Sequence, residues 1–127
     1  MEPETKLWLT LANDDFQNTQ LLWKNRRYGA TVFFSQQAVE KILKAYIVEF
    51  RKTLPPKTHR IEILIQAAKL DLSEIDSPAV DALSKAYIRV RYPDLNKQYY
   101  TARTKVEPLV IVAERLYIWV KNKFKNH

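Results

Sequence analysis

The chain of 127 residues has no cysteine, one glycine and two histidines, and each scarcity removes a class of explanation. Without cysteine there is no disulfide, no thiolate zinc site and no thiol nucleophile, and a reducing compartment is the natural setting. A single glycine excludes a glycine-rich phosphate loop. The histidines are His59 and the terminal His127, which reads as frayed. No spacing of Asp, Glu and His59 suggests metal ligation, so neither metal nor cofactor is expected. No apolar run approaches a membrane span, and the opening MEPETKLWLT has no basic region followed by an apolar core. The expectation is a cytoplasmic protein with no signal peptide and no membrane. Acid is also short: 14 Asp and Glu against 21 Lys and Arg leave a formal charge of +7. That excess attracts phosphates, acidic proteins or anionic surfaces without choosing among them.

What is abundant is amphipathic helix. Val39, Ile42, Leu43, Tyr46, Ile47 and Phe50 alternate steps of three and one, which traces one face of a helix and not a strand. Val106, Leu109, Val110, Ala113, Leu116 or Tyr117, Val120 and Phe124 do the same, and Ala79, Val80, Leu83, Ala86, Tyr87 and Val90 form a shorter case. A first helix over about Thr5 to Lys24 carries Trp8, Ala12, Phe16, Thr19 and Trp23 on one side. Gly29, in NRRYGA, is placed to use its free φ in a cap or tight turn, with a second helix from about Tyr28 to Phe50. Pro55 and Pro56 stop that helix, and Thr58 is the candidate N-cap of one from about His59 to Lys69. Ser77 with Pro78 starts a fourth, which Pro93 ends around Arg91. The last begins at Thr101 or at Thr104, whose spacing to Glu107 matches a capping box; Pro108 then implies a late start or a kink. The predicted fold is a single domain, residues 1–127: an all-α, up-and-down helical bundle of four long helices plus a shorter helix.

Three polar stretches stand out. In FFSQQAVEKILKAYI, Gln36, Glu40 and Lys44 step by four, with Gln37 and Lys41 alongside. The plain reading is a solvated stripe with a Glu40–Lys44 pair worth roughly 0.2–0.5 kcal/mol; the sharper one is a cleft lining or an interhelical network. In KTHR, His59 reads as a capping or packing residue, or else Lys57 and His59 face a phosphate or partner at a helix N-terminus. In YIRVRYPDLNKQYY, Arg89 and Arg91 suit a helix C-terminus, Asp94 is within reach of Arg91, and Tyr92, Tyr99 and Tyr100 can anchor a loop. The same mixture, with Lys97, also suits gripping phosphates and stacking on bases. Residue types leave both readings open.

Together these stretches resemble the HEPN domain family. QQAVEK in a long helix, KTH at the entry to the next, and RYPD followed by YYT before the last occur in the family's order. The opening helix is similar through Ala12, Asp14 or Asp15, Phe16, Leu21 and Leu22, with Arg27 and Tyr28 in the following turn. The resemblance implies a helical bundle that dimerises, in prokaryotes often beside a minimal nucleotidyltransferase in a toxin–antitoxin-like pair. Many members are ribonucleases that use an arginine followed, four to six residues on, by histidine. Counting from Arg91 reaches Asn96, Lys97 and Gln98, and from Arg89 reaches Asp94, Leu95 and Asn96; none is histidine. Histidine exchanges a proton near neutrality without a large pKa shift, so its absence favours binding over cutting. The expectation is a homodimeric partner of a nucleotidyltransferase that binds a nucleotide or RNA phosphate through Arg89, Arg91, Tyr92, Asp94, Lys97, Lys57 and His59, a site that binds before one that cuts, with enzyme activity left open. Two alternatives stand beside it. One is a divergent, metal-independent ribonuclease toxin with Arg91 and His59 as candidate catalytic residues, which requires His59 to approach Arg91 in the fold or across a dimer. The other is a purely structural interaction module.

Overall fold

The middle of the sequence lies at the middle of the molecule. In the computed structural model, which describes residues 1–125 and 127, helix α2 (Tyr28–Tyr46) is enclosed on most sides. Val32, Ala38, Val39, Ile42, Leu43 and Ala45 are each at most 1 % exposed, and a helix apolar around so much of its circumference needs neighbours on several faces. Helices α1 (Pro3–Lys24) and α6 (Arg103–Asn122) run against it, with α3 (Ile61–Ala68) and α4 (Asp81–Arg89) packing more locally. The remaining helix, α5 (Pro93–Tyr99), follows the end of α4. Leu64 of α3, Leu83 of α4 and Leu116 and Val120 of α6 close the core, each such side chain contributing about 1.5–3 kcal/mol of burial. Phe16 stacks on Tyr117 at 4.0 Å between centroids and joins α1 to α6. Among the described residues there is no strand, and no helix is long and apolar enough to cross a membrane.

The helical bundle matches the apolar periodicities; the connections differ in informative ways. The second helix does reach its expected end, but Ile47–Arg51 form a π-helical turn closed by Lys52 at φ 56°. The wider turn brings Glu49 inward, where it accepts from the Glu2 amide and the Thr5 hydroxyl, both at 3.0 Å, and also contacts the His127 ring. His127 is therefore held and not frayed. Gly29 is not the turn residue. Arg26, at φ 60°, makes the α1–α2 turn, and Gly29 is helical. What it supplies is room, because a Cβ there would stand 3.0 Å from both terminal side-chain atoms of Asn96.

Thr58 does not cap a helix at His59. Its hydroxyl accepts from the Arg60 amide at 3.1 Å, the helix starts at Ile61, and the Ile61 amide is taken by the Ser84 hydroxyl of α4 at 2.8 Å. Ser77 sits at φ 46° and leaves the chain still turning, so Pro78 precedes α4 without opening it. Pro93 does end the region of α4, four residues after Arg89, but it also occupies the first position of α5 where a loop was expected. Neither threonine caps α6. Ala102 precedes it with no side-chain bond, Glu107 faces Arg103 at 3.4 Å, and Pro108 lies inside the helix near its start.

Candidate phosphate-binding site

The polar stripe of α2 is an interhelical network. Gln36 is fully buried; its Nε2 donates to the His59 carbonyl at 2.8 Å and to Glu40 Oε1 at 3.1 Å. Gln37 Nε2 donates to Gln36 Oε1 at 2.6 Å. Glu40 Oε2 accepts from Lys44 Nζ at 3.1 Å, and that ammonium lies 5.3 Å from the Trp8 ring centre. Lys41 reaches Asp15 of α1 at 2.6 Å. Buried ions persist where such partners surround them, so the stripe holds α1 and the segment before α3 onto α2.

His59 is the outer end of this network. Its Nδ1 lies 2.9 Å from Glu40 Oε1. A carboxylate can only accept, so Nδ1 carries the hydrogen and Nε2 is left available. The side chain is 47 % exposed. Its ring stacks on Tyr87 with centroids 3.5 Å apart and planes 12° apart, while the Arg91 guanidinium carbon lies 3.9 Å from the same centroid. Two flat groups cannot share one face of a ring at those distances, so Tyr87 is sandwiched. Tyr87 and Arg91 stand four residues apart at the end of α4, the spacing that puts side chains over one another. The fold thus brings His59 to within the thickness of one aromatic ring of Arg91. Stacking holds the guanidinium by its face and leaves its in-plane N–H groups free for an oxyanion.

Other sequence-derived candidates go elsewhere. Arg89 stacks on Tyr99 at 3.8 Å, away from this sandwich. Asp94 makes no ion pair with Arg91 among the described residues; it is exposed on α5 with Lys97, Tyr92 is exposed just before that helix, and Lys57 is exposed before α3. Asn96 occupies the first position where a family nuclease would carry histidine, and here it is structural: its Nδ2 donates to the Val90 carbonyl at 2.9 Å while its amide packs on Gly29. Tyr87 itself was absent from the sequence-derived set, being read as a core position. Its four-residue spacing to Arg91 was the available signal.

Charge sharpens the location. Residues 24–27 and 89–105 carry eight Lys and Arg against Asp94 alone, and the rest of the chain is balanced at thirteen of each sign. These segments meet at one end of the bundle, where Arg103 lies 4.3 Å over Trp23 and Asn96 packs on Gly29. The whole +7 excess is gathered there. No group of three or more His, Asp or Glu side chains stands in metal-binding proximity among the described residues.

No curated protein matches the chain. The crystal structure of TT1696 from Thermus thermophilus is similar, with a TM-score of 0.78 and 26 % identity over 97 % of this chain and 100 % of that one. The HEPN domain model matches residues 5–123, a span that contains the α2 network, the Tyr87 sandwich and the basic end, and the chain therefore belongs to the HEPN domain family.

Proposed function

We propose that this domain binds a nucleotide or RNA phosphate at the His59–Tyr87–Arg91 stack, with the basic end of the bundle as the electrostatic footprint. The observation that carries the reading is Arg91, fixed over Tyr87 at 3.9 Å and exposed beside His59, whose Nε2 is available. Long-range attraction draws the polyanion to this end, and a guanidinium with its in-plane donors free then makes the short bidentate contact. Lys57 and Lys97 add phosphate contacts, and exposed Tyr92 offers a face for a base. Anisotropy titration of single-stranded RNA and, separately, of a mononucleotide tests this. Tyr87→Leu, which removes the platform holding both flanking groups, weakens binding about tenfold; unchanged affinity refutes the site. In this reading the protein acts as a homodimer and as the partner of a minimal nucleotidyltransferase, which co-purification and light scattering test.

One observation favours a second reading, RNA cleavage. Glu40 holds the His59 tautomer from 2.9 Å, the arrangement by which a carboxylate orients a histidine base. His59 Nε2 would take the proton of a ribose 2′-hydroxyl as its oxygen attacks the adjacent phosphorus. The bond to the 5′-oxygen breaks, that oxygen takes a proton from water, and Arg91 stabilises the pentacoordinate charge. Cleavage by purified protein, lost in both His59→Ala and Arg91→Ala, supports it; cleavage that survives His59→Ala ends it.

A further inference from the structure

A groove of about 570 Å³ runs between α4, α5 and the start of α6, lined by Ala82, Arg89, Tyr99, Tyr100, Lys105 and Pro108 among others. It shares no residue with the Tyr87 sandwich, and its size falls within the range of small-molecule sites. Three polar groups line it without adequate partners. Arg89 lies over Tyr99 at 3.8 Å, approaches the Tyr100 hydroxyl and forms no ion pair among the described residues, so most of its five N–H donors are unspent. Lys105 donates once, to the Gln98 carbonyl at 2.9 Å, and has two further hydrogens. Tyr100 is 3 % exposed, yet its buried hydroxyl has no hydrogen-bond partner.

An orphaned buried hydroxyl is costly and calls for a reason. Here burial raises the phenol's pKa, while Arg89 opposes that rise through its charge and through a hydrogen-bonding approach to the hydroxyl, a contact that falls short of full bonding geometry. Asp81 feels the Arg89 charge, but neither it nor Glu107 forms an ion pair with Arg89 among the described residues. Asp81 is held by Lys85 at 2.9 Å and Glu107 by Arg103 at 3.4 Å. Ala82 and Pro108 give the groove an apolar wall.

We propose that this groove is a second binding site, specific for a small amphipathic anion whose oxyanion head meets Arg89, Lys105 and the Tyr100 hydroxyl while its apolar body lies on Ala82 and Pro108. A carboxylate and a phosphomonoester share that chemistry. Calorimetric titration of the intact protein with naphthoate, naphthyl phosphate and uncharged naphthol tests it. The two anions bind saturably, one to one, and the tighter of them identifies the head group. Naphthol binds at least about tenfold more weakly, as the loss of charge-assisted bonds requires. Arg89→Gln and the exposed-site variant Lys105→Gln each weaken the anions by roughly three- to tenfold, with unchanged far-ultraviolet circular dichroism. Arg91→Gln leaves their affinity unchanged, which separates this site from the RNA-binding reading. Absence of saturable binding at millimolar ligand, naphthol binding as tightly as the anions, or an equal loss in Arg91→Gln overturns the proposal.

Discussion

Replacing Glu40 by glutamine perturbs the most connected carboxylate in the molecule. Its Oε1 is approached by His59 Nδ1 at 2.9 Å, Gln36 Nε2 at 3.1 Å and Gln37 Nε2 at 3.4 Å, and its Oε2 by Lys44 Nζ at 3.1 Å. All four are donors. Glutamine has one acceptor oxygen, so either orientation of the amide points its NH2 group at a donor, toward Lys44 or toward His59 and Gln36. Lys44, whose side chain is 9 % exposed, keeps its charge and loses its counter-ion. Removing one partner of a buried pair costs about 3–5 kcal/mol, and the Trp8 ring, 5.3 Å away, already makes its contact with the ammonium in the native protein and offsets none of it. The expected loss is at least about 3 kcal/mol, read from urea unfolding with an unchanged slope. Lys44→Met in the same background recovers part of it, since no unpaired ammonium then remains. A loss below about 1 kcal/mol, the worth of an exposed pair, would refute the buried-network account.

Three further outcomes follow from named contacts. Ser84→Ala strands the Ile61 amide and removes the donor to Glu62 at 2.8 Å, so urea unfolding should show a loss of about 1–3 kcal/mol. Gly29→Ala would add about 0.5–1 kcal/mol to an unobstructed helix, but with Asn96 atoms 3.0 Å from the new Cβ it should lower the thermal midpoint instead, and less so in Asn96→Ala. The Glu2 amide first, helped by His127 and Thr5 and opposed by burial, holds Glu49 at about 2 against an ordinary 4.5. A depressed carboxylate pKa contributes stability that is complete above the unfolded value and is lost as pH falls between 4.5 and about 2. Glu49→Gln should therefore flatten the acid limb of a stability–pH profile, and an unaltered limb would contradict the contact.

The helices were legible because α2 and α6 repeat apolar residues with the helical period, and that period survives any rearrangement of the connections. The connections were not, because their determinants lie far away in sequence. Ile61 is capped by Ser84, twenty-three residues on, and Gly29 is required by Asn96, not by its own φ. Likewise, a Gln36–Glu40–Lys44 stripe reads the same whether it faces water or another segment's polar groups. What decides is the His59 carbonyl and ring arriving from the loop before α3. KTH and RYPD were each visible as motifs, but their meeting on Tyr87 is a tertiary event. Arg89 and Arg91, only two residues apart, were grouped as one site, yet helical geometry sends them to different rings, Tyr99 and Tyr87.

The central claim, that Arg91 on the Tyr87 platform contacts phosphate, is tested most directly by anisotropy titration of a single-stranded RNA over a salt series. Wild type is compared with Arg91→Gln and with Lys6→Gln, whose exposed lysine lies near the start of α1, at the other end of the bundle. Loss of one phosphate contact should weaken Arg91→Gln roughly tenfold at low salt and reduce the slope of log affinity against log salt by about 0.7, with Lys6→Gln unchanged. Equal affinity and slope in wild type and Arg91→Gln, or an equal loss in Lys6→Gln, would contradict the account.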